Sequence, residues 1–126
     1  MTQEEKQLLF TDLCARQPYS VMINTPLFEK PTLLKGIADN MCWAVVDEDN
    51  YEWVDIDDVK PYLRPMDSMT DEERDEYENT LEYDRNYYYT ISTPTIKTID
   101  WLNENHFDYR KLIEKKLALE AHKDMY

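Results

Sequence analysis

The sequence predicts an α+β fold: a small antiparallel sheet, a meander that could be SH3-like or barrel-like, with a helix before it and helices after it. Three observations carry this. Thr2 and Glu5 have capping-box spacing ahead of apolar residues that recur every three or four positions. Between residues 19 and 56 the apolar period falls to two, broken by short Asp/Asn links. From Thr70 onward, capping signals and helical spacing return. A chain of 126 residues with 42% apolar and 33% charged residues can bury a core without staples. No repeat or linker divides it, so residues 1–126 form one domain.

The first helix is expected over residues 3–16, with Leu9, Phe10, Leu13 and Cys14 on its buried stripe and Arg16 at the negative end of its dipole. Pro18 stops it. Tyr19, Val21 and Ile23 then alternate with Ser20, Met22 and Asn24 as a strand with one well-buried face, and a loop is expected from Pro26 to Pro31. Thr32–Ala38, Met41–Val46 and Tyr51–Ile56 read as consecutive strands. The middle one, MCWAVV, is apolar on both faces, as expected of a central strand covered on two sides or curled into a small barrel. With Gly36 the only glycine, left-handed turn positions should fall to Asn and Asp, first of all at 39–40 and 49–50.

Residues 55–63 should leave the sheet in a short helical turn, because Pro61 lacks a donor and Pro65 biases Arg64 away from helix. Thr70 and Glu73 form a second capping box, opening an acidic helix to about Tyr83. Tyr87 to Ile91 reads as an edge strand or aromatic loop. Thr93 with Pro94 opens a third helix with Ile96, Ile99 and Leu102 on one face. Asn103 to Phe107 interrupts it, and Asp108 caps a last helix that buries Tyr109, Leu112, Ile113 and Leu117. A short extended segment through Leu119 and Ala121 completes the reading.

The net charge of -13 is concentrated. Residues 47–84 hold 16 acidic and three basic side chains, while the rest of the chain is balanced at 11 of each. Such a surface repels phosphate, which disfavours direct binding to nucleic acid or an anionic membrane. No apolar run reaches the roughly 18 to 20 residues a membrane helix needs, and the N-terminus has no signal-peptide layout. With two cysteines in no metal-type spacing, a cytoplasmic protein is the expectation.

No cofactor, metal site or catalytic residue is expected. Cys14 and Cys42, with His106 and His122, lack the flanking signature of a thiol nucleophile, and buried cysteines behave as small hydrophobes. His106 reads as a residue that packs or caps at a helix break. Acidic clusters at Asp47, Glu48 and Asp49 and at Asp55, Asp57 and Asp58 lack the EF-hand glycine and terminal glutamate. One glycine cannot build a phosphate loop.

Two candidate interaction surfaces remain. One is the acidic helix, with Asp71, Glu72, Glu73 and Glu76. The other is the tyrosine group Tyr83, Tyr87, Tyr88 and Tyr89, of a residue type common at interfaces. The functional expectation is a non-enzymatic interaction or regulatory module with an unidentified protein partner. The alternative is an acidic nucleic-acid mimic that occupies a host DNA-binding protein.

Three blocks, EEKQLLFTDLCARQPY (4–19), VDIDDVKPYLRPMDSMTDEE (54–73) and WLNENHFDYRKLIEKKLALEA (101–121), resemble a family of small uncharacterised proteins. That family occurs in gut Bacteroidales genomes and in their phages and mobile elements. The resemblance implies that setting; it implies no activity, since none is established for the family. Its members tend to carry glycine where this chain has Lys111 and Lys116, and a Pro-Glu-Gly run where it has His122-Lys123-Asp124. A glycine at 116 would be a natural left-handed helix stop.

Overall fold

The computed structural model describes residues 1–85 and 90–126. Helix α1 spans Gln3–Arg16, and its reciprocal Thr2–Glu5 capping box is formed. Its buried face is Leu9, Asp12, Leu13 and Arg16, not the stripe expected from apolar spacing. Cys14 is exposed, because it lies five residues, about 140° of helix, from Leu9. Asp12 and Arg16, one turn apart, form an ion pair and so pass into the interior together.

Gln17–Tyr19 is a 3-10 turn, closed at Ser20 with φ 61°, so the strand expected from Tyr19 begins at β1, Met22–Thr25. Strand β2 runs Phe28–Ala38 and absorbs most of the expected 26–31 loop. Pro31 is tolerated there because β3 pairs with β2 only from Leu33 onward, leaving Pro31 with a neighbour on one side. Strands β3 (Met41–Val45) and β4 (Tyr51–Asp55) complete an antiparallel meander.

A 3-10 turn at Ile56–Asp58 fits the expected helical turn, but Lys60–Leu63 is a strand, β5, which returns antiparallel beside β1. A four-strand meander, one 3-10 turn and a fifth strand beside the first make an SH3-like connectivity. The sheet order is β4-β3-β2-β1-β5-β8, where β8 is the parallel pair Leu119–Glu120. β4 is therefore an edge strand. Under the sheet, Leu9 and Leu13 of α1 meet Val21, Ile23, Leu34, Cys42, Ala44, Val54, Ile56 and Leu63, with Leu112 and Leu117 sealing the side.

Helix α2 spans Asp71–Thr80, with the Thr70–Glu73 capping box formed. It ends before the expected Tyr83, which lies in β6 (Glu82–Arg85), paired with β7 (Thr90–Thr93) in a separate hairpin. Helix α3, Ile96–Glu104, is capped by Thr95 rather than Thr93. The Thr95 and Thr98 hydroxyls also donate to the Thr80 carbonyl at 2.8 and 3.0 Å, which joins the start of α3 to the end of α2. Of its expected apolar face only Leu102 is buried; Ile96 and Ile99 are exposed.

The expected last helix does not form. Asp108 does cap, accepting from the Leu112 and Ile113 amides at 2.8 and 2.9 Å, but Lys111 and Lys116 are left-handed at φ 61° and 62°. A single turn follows. The Leu117 amide donates to the Leu112 carbonyl and the Lys116 amide to the Ile113 carbonyl, the two bonds of a Schellman stop. The same pair closes α3: Phe107 to Leu102 and His106 to Asn103, with His106 at φ 60°. Of the left-handed positions expected for Asn and Asp, Asp39 is one. Asp49 and Asn50 are not, because the Asp47 carboxylate folds that turn by accepting from both their amides.

Candidate functional site

Alternation along β3 and β4 divides their side chains between two environments. Cys42, Ala44 and Val54 enter the core. Trp43, opposite Trp53, and Val45, opposite Tyr51, project from the other face. That face is not covered as the apolar MCWAVV run suggested: Trp43, Trp53 and Tyr51 are 38%, 47% and 52% exposed. The indoles of Trp43 and Trp53 stack at 5.7 Å with 22° between planes. Tyr51 meets Trp43 edge-on at 6.3 Å.

This ladder is supported from beneath. On β2, Gly36 pairs with Trp43, and a Cβ there would meet the indole at an ordinary contact distance of 3.8 Å. The hairpin link is tied by Asp47, whose carboxyl is held below the usual range by the Asn50 side-chain amide and the Asp49 backbone N–H. Between residues 39 and 58 stand eight carboxylates and no Lys, Arg or His. Among the described residues one ion pair reaches that stretch, Lys6 to Asp57 at 3.7 Å. Three clustered, exposed aromatics on an edge hairpin, in a stretch where Asp57 is the one carboxylate with an ion-pair partner among the described residues, form the candidate interface.

The surfaces expected from sequence fare differently. Asp71, Glu72 and Glu76 are exposed on α2. Glu73 is half-buried and bound by Arg64 through two 2.7 Å bonds, and Glu76 accepts from the Trp101 indole at 3.2 Å. The acidic helix thus spends two of its four named carboxylates on attachment. Tyr83 is exposed, with its hydroxyl donating to the Glu78 carbonyl. Tyr87, Tyr88 and Tyr89 lie outside the described residues.

A groove of about 560 Å3 runs beside Arg64, Ser68, Thr70, Glu73 and residues 120–126. Arg64 and Glu73 in its wall satisfy each other, while Glu120, Lys123 and Asp124 also line it. Behind it the His106 ring stacks on Tyr126 at 4.0 Å, and its Nε2 lies 3.0 Å from the Tyr19 carbonyl. A carbonyl only accepts, so the neutral ring carries its proton on Nε2. Burial, reinforced by Arg16 and Arg64, pushes the His106 pKa down to about 4. Burial likewise pushes the Cys42 thiol up to about 12. Among the described residues no three His, Cys, Asp or Glu side chains converge as metal ligands, and no helix is long and apolar enough to cross a membrane.

Trp43 lies in an apolar run of the kind that usually marks a buried strand. The signal was the alternation Tyr51-Glu52-Trp53-Val54-Asp55, in which both aromatics share a face with Asp55. No protein-family model matches the chain, and neither curated proteins nor solved structures gave a significant match.

Proposed function

We propose that this protein is a non-enzymatic interaction module that acts by docking a partner protein on the outer face of β3 and β4. The observation that carries the reading is the exposed Trp43–Trp53 stack. Clustered aromatic area of this kind on a free surface marks a recognition site more often than a packing accident. The non-enzymatic part is supported by the state of the reactive groups. Cys42 is a buried protonated thiol, partial burial also raises the exposed Cys14 thiol, and the His106 Nε2 is engaged by backbone. The setting we propose is the phage or mobile-element one that the family resemblance implies.

The test is affinity capture with the tagged chain from its native host, in parallel with Trp53→Ala and Tyr51→Ala variants of unchanged circular dichroism. A partner held by the parent and lost from both variants is expected. Retention of every partner by both variants would remove the sheet face from consideration.

The exposure of Asp71 and Glu72 favours a second reading, mimicry of nucleic acid by the acidic helix. It requires a basic partner that DNA displaces and that Asp71→Asn with Glu72→Gln releases. Release by those substitutions but not by Trp53→Ala would select mimicry over the sheet face.

A further inference from the structure

We infer that the Trp43–Trp53–Tyr51 face takes a cationic segment of its partner, with Lys or Arg side chains lying over the indoles. The inference rests on the docking reading above and specifies its chemistry. An indole face attracts a cation through its quadrupole, more strongly than other aromatic rings do. Elsewhere the chain covers two aromatic rings with its own cations: Arg64 lies 4.2 Å above the Phe107 ring and Arg110 4.5 Å above Tyr109. Among the described residues no such cation covers Trp43, Trp53 or Tyr51.

The surroundings select charge in the same direction. Asp55 follows Trp53 by two residues on the same face of β4, opposite Met41, and Asp47, Glu48 and Asp49 bound the Tyr51 end of the hairpin. One exposed lysine, Lys35, precedes the Gly36 that pairs with Trp43 and lies at the bulge of β2 between Leu34 and Gly36. A second copy of this chain would oppose carboxylates to carboxylates, and a nucleic acid would oppose them to phosphates; both are repelled. A basic peptide segment satisfies the aromatic faces and the carboxylates together. Its attraction is steered by charge and weakened by salt.

The experiment titrates the full chain with a nonapeptide rich in Lys and Arg and with its counterpart carrying acetyl-lysine and citrulline, followed by indole fluorescence. Tighter binding of the charged peptide is expected, weakened roughly tenfold by Trp53→Ala and by Asp55→Asn. Trp53→Leu, which keeps apolar volume in the strand, should weaken it similarly and guards against a folding defect. Asp71→Asn with Glu72→Gln should leave it unchanged. Equal weakening by the α2 substitutions would mean bulk attraction to an acidic protein and overturn the inference. Equal binding of the neutral peptide would overturn the cationic occupant while sparing the docking face. Absence of binding to either peptide, together with partner capture indifferent to Trp53→Ala, would remove both.

Discussion

Arg64 and Glu73 close the corner between β5 and α2. Two parallel 2.7 Å hydrogen bonds join guanidinium to carboxylate. The Glu73 Oε1 that accepts from Arg64 also accepts from the Thr70 amide at 3.0 Å. One carboxylate therefore serves as the third residue of a capping box and as the anchor of the helix to the sheet. The Arg64 guanidinium in turn lies over Phe107, so the acidic helix is held at an angle set by the strand that precedes it and the chain that follows α3.

Glu73→Gln should accordingly destabilise the protein by about 1–2 kcal/mol, the scale of a charge-assisted bidentate pair plus part of a cap. The Arg64 hydrogen bonds hold the Glu73 carboxyl below its ordinary 4.5. A depressed carboxylate pKa stabilises the folded state above 4.5, and that stability fades as pH falls through the lower folded value. A urea-unfolding comparison at pH 7 and pH 3.5 should show the difference between parent and variant shrinking at the lower pH. A variant as stable as the parent at pH 7 would show the corner to be held by other contacts.

His106 sets a different acid limit. Its folded pKa is about 4 against an ordinary 6.5, through burial and then the nearby Arg16 and Arg64. Between those values the unfolded chain binds a proton that the folded chain refuses, so stability is full above about pH 6.5 and falls by up to about 3 kcal/mol on descent to pH 4. Thermal unfolding at steps between pH 7.5 and 4.5 should show this decline. His106→Asn, which keeps a residue tolerant of φ 60°, should be less stable at pH 7.5 and show a flatter slope. A parent profile flat over that range would mean that the ring is protonated without penalty.

Much of the architecture was legible in the residues. The two Thr-x-x-Glu boxes at Thr2 and Thr70 and the period-two run from Thr32 to Ile56 are local signals, and the structure obeys them. What escaped was set by distant partners. Arg16 read as a dipole residue at the end of α1, yet it is buried because Asp12 neutralises it and the Phe107 carbonyl, far along the chain, accepts from it at 2.6 Å. Lys60–Leu63 became a strand because β1 offered a free edge. Trp43 read as core because its own strand is apolar on both faces; the sign of an open face lay one strand away, where Tyr51 and Trp53 share a face with Asp55. The last helix failed at lysines in left-handed positions, where lysine gives no warning.

Those lysines supply another measurement. A residue with a Cβ at φ near 60° costs about 1 kcal/mol that glycine does not. Lys116→Gly should therefore stabilise the protein by about 0.5–1 kcal/mol, and Lys111→Gly by a similar amount. Lys115→Gly, one residue away with no positive φ, should destabilise instead. Equal effects at 115 and 116 would show that chain entropy, and not the left-handed geometry, governs the response.

The strongest dependence on a single polar side chain is expected at Asp12. Its carboxylate is fully buried and accepts from Arg16 Nε at 3.0 Å and from Arg110 Nη1 at 2.7 Å. Arg16 is equally buried, and its Nη1 has no hydrogen-bond partner among the described residues. Removing the carboxylate leaves a guanidinium inside the protein without its counter-charge, so Asp12→Ala should cost about 3–5 kcal/mol. Joint replacement, Asp12→Leu with Arg16→Met, removes both fully buried charges; it should cost less than Asp12→Ala alone, because the cation that still loses its partner, Arg110, is partly exposed. Unfolding in urea reads both variants against the parent. If the double variant is the less stable of the two, the pair is retained for its bonds to Phe107 and Arg110, which tie α1 to the chain beyond α3, and not merely because each charge neutralises the other.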